Sequence, residues 1–94
     1  MNHMFSYAKS FNQPIGNWDV SNVKNMSFMF DNAYSFGYPI SDWDVSNVND
    51  MSYMFFATTS FNQPINNWDV SNVKYMVNMF DNCPIKGKYK PKFK

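Results

Sequence analysis

Ninety-four residues carrying a formal charge of +1 suit one small domain, and a chain of this length buries only about 60 to 70% of the surface its unfolded form exposes. Ten Phe, six Tyr, three Trp and eight Met supply the dense core such a chain needs, whereas Glu and Arg are absent and His3 and Cys83 stand alone. That inventory excludes most catalytic constellations and an intramolecular disulfide. No apolar run approaches the ~18 residues of a membrane helix, and the N-terminal stretch lacks the pattern of a signal peptide.

The chain opens with Met1, Met4 and Phe5, which align with Met26, Met29 and Phe30 further on. It therefore starts inside a repeat. Terminal repeats of an array normally carry a polar outer face, so the expectation is either a longer array or an open apolar end, Met1, Met4 and Phe5, that packs on a partner or on a second copy. The repeat itself centres on Trp18-Asp19-Val20-Ser21-Asn22-Val23, which returns at 43–48 and 68–73, 25 residues apart each time. Its wider pattern, F-x-x-P-I-x-x-W-D-V-S-N-V-x-x-M-x-x-M-F, starts at Phe11, Phe36 and Phe61. A fixed period of this length predicts a solenoid in which each unit buries its apolar face on the next. The expected organisation is a repeat solenoid over 1–85, with a partial unit 1–10 before the units at 11, 36 and 61, and a basic cap or tail over 86–94.

Within a unit, Phe11 to Ile15 carries the Pro, Asn and Gln of a turn. Ile15, Trp18 and Val20 predict a short parallel strand with Trp18 and Val20 facing the core and Asp19 facing out. Ser21 and Asn22 suit a helix start, and Val23, Met26, Met29 and Phe30 recur at helical spacing, predicting a short helix packed on the strand layer. The fold class read from this pattern is an α/β solenoid, leucine-rich-repeat-like, each 25-residue unit a short parallel β-strand plus a short helix.

Unit three ends differently, with Cys83, Pro84 and Ile85, and Ile85 aligns with Ser35 and Ser60. Cys83 aligns with Ala8, Ala33 and Thr58, the place of a small packed residue. The final Lys-Gly-Lys-Tyr-Lys-Pro-Lys-Phe-Lys alternates, predicting that Tyr89 and Phe93 cover the last coil while Lys86, Lys88, Lys90, Lys92 and Lys94 face water or an anionic surface. Residues 1–85 hold all seven aspartates against three lysines, so the net positive charge lies in that tail. Five lysines without arginine are thin material for nucleic-acid recognition.

The W-D-V-S-N-V-x-x-M-x-x-M-F core with F-N-Q-P-I before it resembles the BspA-like (bacterial surface protein A type) leucine-rich-repeat family, also known as a mycoplasma-type domain of unknown function. The resemblance covers about residues 1–85. It implies a curved right-handed solenoid, display at the cell surface or outside the cell, and adhesion or protein binding; some similar proteins come from large DNA viruses, which makes a virion component the alternative.

Candidate sites follow from these readings. The six repeated methionines read as core filler before they read as copper ligands, and the stacked tryptophans as core before a sugar platform. Asp19, Asp44 and Asp69 need an offset for their mutual repulsion, which Asx-type bonds at the corner supply more readily than a calcium ladder. Asn22, Asn47 and Asn72 are expected to bond neighbouring coils. Asn25-Met26-Ser27 matches a glycosylation acceptor, but its Met26 belongs to the predicted core. Positions that differ between units are the better place for recognition: His3, Phe28, Tyr53 and Asn78 align on the face away from the strands, so Phe28 and Tyr53, with Tyr34, Tyr38 and Tyr75, form the candidate partner-binding surface. The expected function is a non-catalytic protein-binding or adhesion module without cofactor or metal; the alternative is a structural component of a virion or cell-envelope lattice that associates end to end.

Overall fold

Both predicted elements give way to turns in the structure, a computed structural model that describes residues 2–93. Met1 and Lys94, named above in the candidate end and the tail, lie outside the described residues. Among those residues the helical content is one 3-10 turn, Gly87–Tyr89, and strand-like pairing is limited to the isolated parallel bridges Asn25 to Asp50 and Asp50 to Tyr75. There is no sheet among them, so the fold is not an α/β solenoid of strand and helix units.

Backbone accounting explains the difference. In the segment expected to be helical, the N-H groups of Met26, Phe28, Phe30 and Asn32 donate to the carbonyls of Asp50, Ser52, Met54 and Phe56 in the next repeat, at 2.8–2.9 Å. The residues between them close turns instead: Met29 donates to Met26, Asp31 to Phe28 and Ala33 to Phe30. Ser27 N-H is taken by the Asn25 side chain at 2.9 Å. Every N-H from 26 to 33 is thus bonded without a helix. Phe28 at φ 61° and Asn32 at φ 58° occupy the third position of two of these turns, the left-handed position of a type II turn, which no α-helix contains. A two-turn helix would spend its inner N-H groups on its own carbonyls and leave the first four without an intrahelical partner; this arrangement sends every second N-H to the next repeat.

The expected strand side is built differently again. Trp43 N-H closes a turn on Ile40 and Val48 N-H one on Val45, while the contacts between repeats come from side chains. Trp43 Nε1 donates to the Ile15 carbonyl at 3.0 Å and Trp68 Nε1 to Ile40 at 3.1 Å. Asn47 Nδ2 and Asn72 Nδ2 reach the Ser21 and Ser46 carbonyls, both at 2.7 Å.

The core lies between these two sides. Phe30, Phe55, Phe36, Phe61, Met26, Met29, Met51 and Met54 have no exposure at all. Equivalent rings stack repeat on repeat, at 5.6 Å for Phe30 and Phe55, 5.9 Å for Phe36 and Phe61, and 6.4 Å for Trp43 and Trp68. The spacing widens toward the tryptophans. Trp18, expected in the core, is 37% exposed, in contrast to Trp43 and Trp68.

Ile85 is buried rather than standing in the place of the exposed serines. It joins Phe36 and Phe61 in the core, so the chain has slipped one residue: Lys86 N-H bonds Asn62 24 residues back, where Gly37 N-H bonds Asn12 25 residues back. Tyr89 and Phe93 pack against the core with Pro91 buried, and Lys86, Lys88, Lys90 and Lys92 are exposed. The segment makes a 3-10 turn at Gly87–Tyr89 on its way across the last coil.

Candidate functional site

The positions aligned as His3, Phe28, Tyr53 and Asn78 form one column on the surface. His3 stacks on Phe28 with ring centroids 4.7 Å apart and planes 7° apart, and Phe28 on Tyr53 at 4.7 Å and 6°. Asn78 Nδ2 donates to the Tyr53 hydroxyl at 3.0 Å. All four residues have positive φ, between 54° and 61°. Asparagine tolerates this region; a bulky ring in it costs about 1–3 kcal/mol. The Phe28 and Tyr53 rings stay half-buried, and His3 exposed, on a backbone that would favour glycine, held by their stacking and by the N-H bonds from Phe28 to Ser52 and from Tyr53 to Val77.

The other tyrosines of the expected surface are exposed but have different surroundings. Tyr34 donates to the Asn32 side chain at 3.2 Å, Tyr38 borders a polar depression, and Tyr75 sits at the bridge to Asp50. The rings that the structure brings together are thus His3, Phe28 and Tyr53. At the expected assembly end, Met4 is 52% exposed and Phe5 is half-buried, stacked on Phe11 and Phe30. In the tail, the Lys86 and Lys88 ammonium groups lie 5.9 and 5.5 Å from the Tyr89 ring, and that of Lys90 lies 5.2 Å from Phe80.

The corner carboxylates are held locally. Asp19 Oδ1 accepts from the Ser21 hydroxyl at 2.6 Å and its N-H at 3.0 Å, and Asp44 and Asp69 repeat the arrangement with Ser46 and Ser71. The serine hydroxyl first, and the serine N-H second, hold Asp19 and Asp44 below the ordinary carboxylate value. Burial pushes the Cys83 thiol up, away from the ionised form a nucleophile needs. Asn25 keeps its side chain on Ser27.

One buried group escaped the sequence reading. Asp31 is 4% exposed and its Oδ1 has no hydrogen-bond partner, while Oδ2 accepts from Asn32 at 3.2 Å. The aligned residues, Ser6, Phe56 and Asp81, share no chemical character that would have signalled burial. The left-handed positions had a signal: the column of His3, Phe28 and Tyr53 ends in Asn78, and the aligned set Tyr7, Asn32 and Ala57, also at positive φ, ends in Asn82.

Among the described residues no group of three His, Cys, Asp or Glu side chains could hold a metal ion, and no helix is long and apolar enough to cross a membrane. Residues 1–90 match the model of a family described as "Mycoplasma protein of unknown function, DUF285". No curated protein and no solved structure matches the chain.

Proposed function

The chain belongs to the DUF285 family of mycoplasma proteins of unknown function, and from that premise we propose that it is a non-catalytic protein-binding module whose contact surface is the column of His3, Phe28, Tyr53 and Asn78. The observation that carries this reading is the pair Phe28 and Tyr53, stacked at 4.7 Å on left-handed backbone. Half-exposed rings of low conformational freedom, stacked in a column, suit the anchors of a protein interface. The finer kinship with BspA-like repeats, and with it surface display and adhesion, belongs to the same proposal and draws on the W-D-V-S-N-V motif.

The test is binding of the full chain to a panel of purified, surface-exposed host proteins, compared with a Phe28→Asn, Tyr53→Asn variant. Asparagine already occupies the equivalent left-handed position at 78, so the variant keeps its fold. The reading expects a partner whose affinity drops about ten-fold or more in the variant. No binding above background, or equal binding by both proteins, rejects it.

A second reading, end-to-end association of copies in a lattice, draws on Trp18, whose 37% exposure contrasts with the covered Trp43 and Trp68. A second copy stacked there would cover that ring. A sedimentation profile of a pure monomer at high concentration and low salt would reject it.

A further inference from the structure

Unit two breaks the repeat in the segment before its tryptophan: Phe36-Gly37-Tyr38-Pro39-Ile40 stands where its neighbours have Phe11-Asn12-Gln13-Pro14-Ile15 and Phe61-Asn62-Gln63-Pro64-Ile65. At that point the surface sinks into a depression of about 420 Å³, lined by Asn12, Ser35, Gly37, Tyr38, Ser60 and Gln63 among others. Gly37 lines it with bare backbone. A Cβ there would lie 2.8 Å from the Ser60 carbonyl oxygen, so a side chain cannot enter without moving backbone.

Gly37 also fixes the two amides beside it. Its N-H donates to Asn12 Oδ1 at 3.1 Å and its carbonyl accepts from Gln63 Nε2 at 2.9 Å. Each amide is anchored at one end, which leaves the Asn12 Nδ2 donors and the Gln63 Oε1 acceptor for a ligand. The Ser35 and Ser60 hydroxyls can both donate and accept, and the Tyr38 ring is 37% exposed at the rim.

No lining residue carries a charge, so an ion would find no counter-charge. An apolar ligand would strand the amides and hydroxyls away from water without a partner for them. A neutral ring bearing hydroxyls on its rim and C-H groups on its face meets both demands. We propose that this depression binds a neutral saccharide, the C-H face of one sugar ring lying on Tyr38 and its hydroxyls bonding Asn12 and Gln63. The site is separate from the His3, Phe28 and Tyr53 column, and it exists because unit two differs from units one and three.

The test is NMR titration of the isotope-labelled full chain with cellobiose and with maltose, using glycerol at matched hydroxyl concentration as the control. The expected result is saturable shifts at Gly37, Tyr38 and Ser60 and at the side-chain amides of Asn12 and Gln63 with at least one disaccharide and not with glycerol. Tyr38→Gln, which restores the residue of units one and three, should weaken binding by about ten-fold, and Tyr75→Gln should leave it unchanged. Absence of shifts with both sugars up to their solubility limit, equal shifts with glycerol, or undiminished binding by Tyr38→Gln overturns the proposal.

Discussion

The two long sides of each repeat hold their neighbours by opposite means. Over residues 26–33 and 51–58 the backbone does the bonding, every second N-H reaching a carbonyl in the next repeat. From Trp43 to Val48 and from Trp68 to Val73 the backbone closes local turns, with backbone crossings at the margins, such as Ile65 N-H to Tyr89 and Asn49 N-H to Lys24, and the indole and asparagine side chains cross between repeats. The first side is sequence-tolerant, because backbone donors do not depend on the side chain; Ser, Phe and Val are found at 6, 56 and 77 in a segment that still stacks. The second needs its residues by name, which accounts for W-D-V-S-N-V recurring unchanged.

Substitutions can break this contrast. The largest effect is expected from Phe55→Ala, where a fully buried ring leaves a cavity between the two sides and denaturant unfolding should show a loss of about 3–5 kcal/mol. Trp43→Phe keeps a ring in the stack but takes the indole donor from the Ile15 carbonyl, which retains only the Trp18 N-H, and should cost about 1–2 kcal/mol from the lost bond and the smaller buried ring. The outcome that would merge the two sides is a Trp43→Phe protein as stable as the parent. Asn47→Ala, at a more exposed crossing bond, should cost about 1 kcal/mol in the same assay.

On the backbone side the informative change has the other sign. Ala57 sits at φ 57°, and Ala57→Gly should raise stability by about 1 kcal/mol by removing the left-handed penalty. An unchanged or lower melting temperature would mean that the turn at 55–58, closed by Thr58 N-H on the Phe55 carbonyl, is not as described. The smallest effect is the pH response of the corners. Asp19 and Asp44 titrate below the ordinary 3.8 because the serine hydroxyls and N-H groups bond the charged form. Their contribution is complete above the unfolded value and is lost as pH falls through the folded one. A Ser21→Ala, Ser46→Ala protein should therefore show a shallower fall of melting temperature below pH 3.8 than the parent.

Much of this was legible in the chain. The 25-residue period, the buried methionines, the serine-bonded aspartates and the crossing asparagines all follow from residue types and spacing. The local conformation did not follow, for a physical reason: Val23, Met26, Met29 and Phe30 fit the face of a helix equally well as the inward positions of successive turns, and periodicity alone does not separate the two. The deciding fact is positive φ at Phe28 and Tyr53, residue types that do not announce it. Asn32, Asn78 and Asn82 at equivalent places were the available hint, since asparagine tolerates that region. The expected strand failed because Trp and Asn side chains take over the bonding a ladder would supply. Of the candidate site, the alignment of Phe28 with Tyr53 was readable, whereas their stacking with His3 and the depression at Gly37 depend on how closely the repeats approach.

The central claim is that, after the W-D-V-S-N-V of units one and two, every second N-H bonds to the next repeat while the others close local turns, and none makes the four-residue bond of an α-helix. Couplings transmitted through hydrogen bonds, measured by NMR, test it directly. The account predicts coupling from the Phe30 N-H to the Met54 carbonyl and from the Phe55 N-H to the Met79 carbonyl. Coupling from Phe30 to the carbonyl of Met26, four residues earlier as in an α-helix, would contradict it.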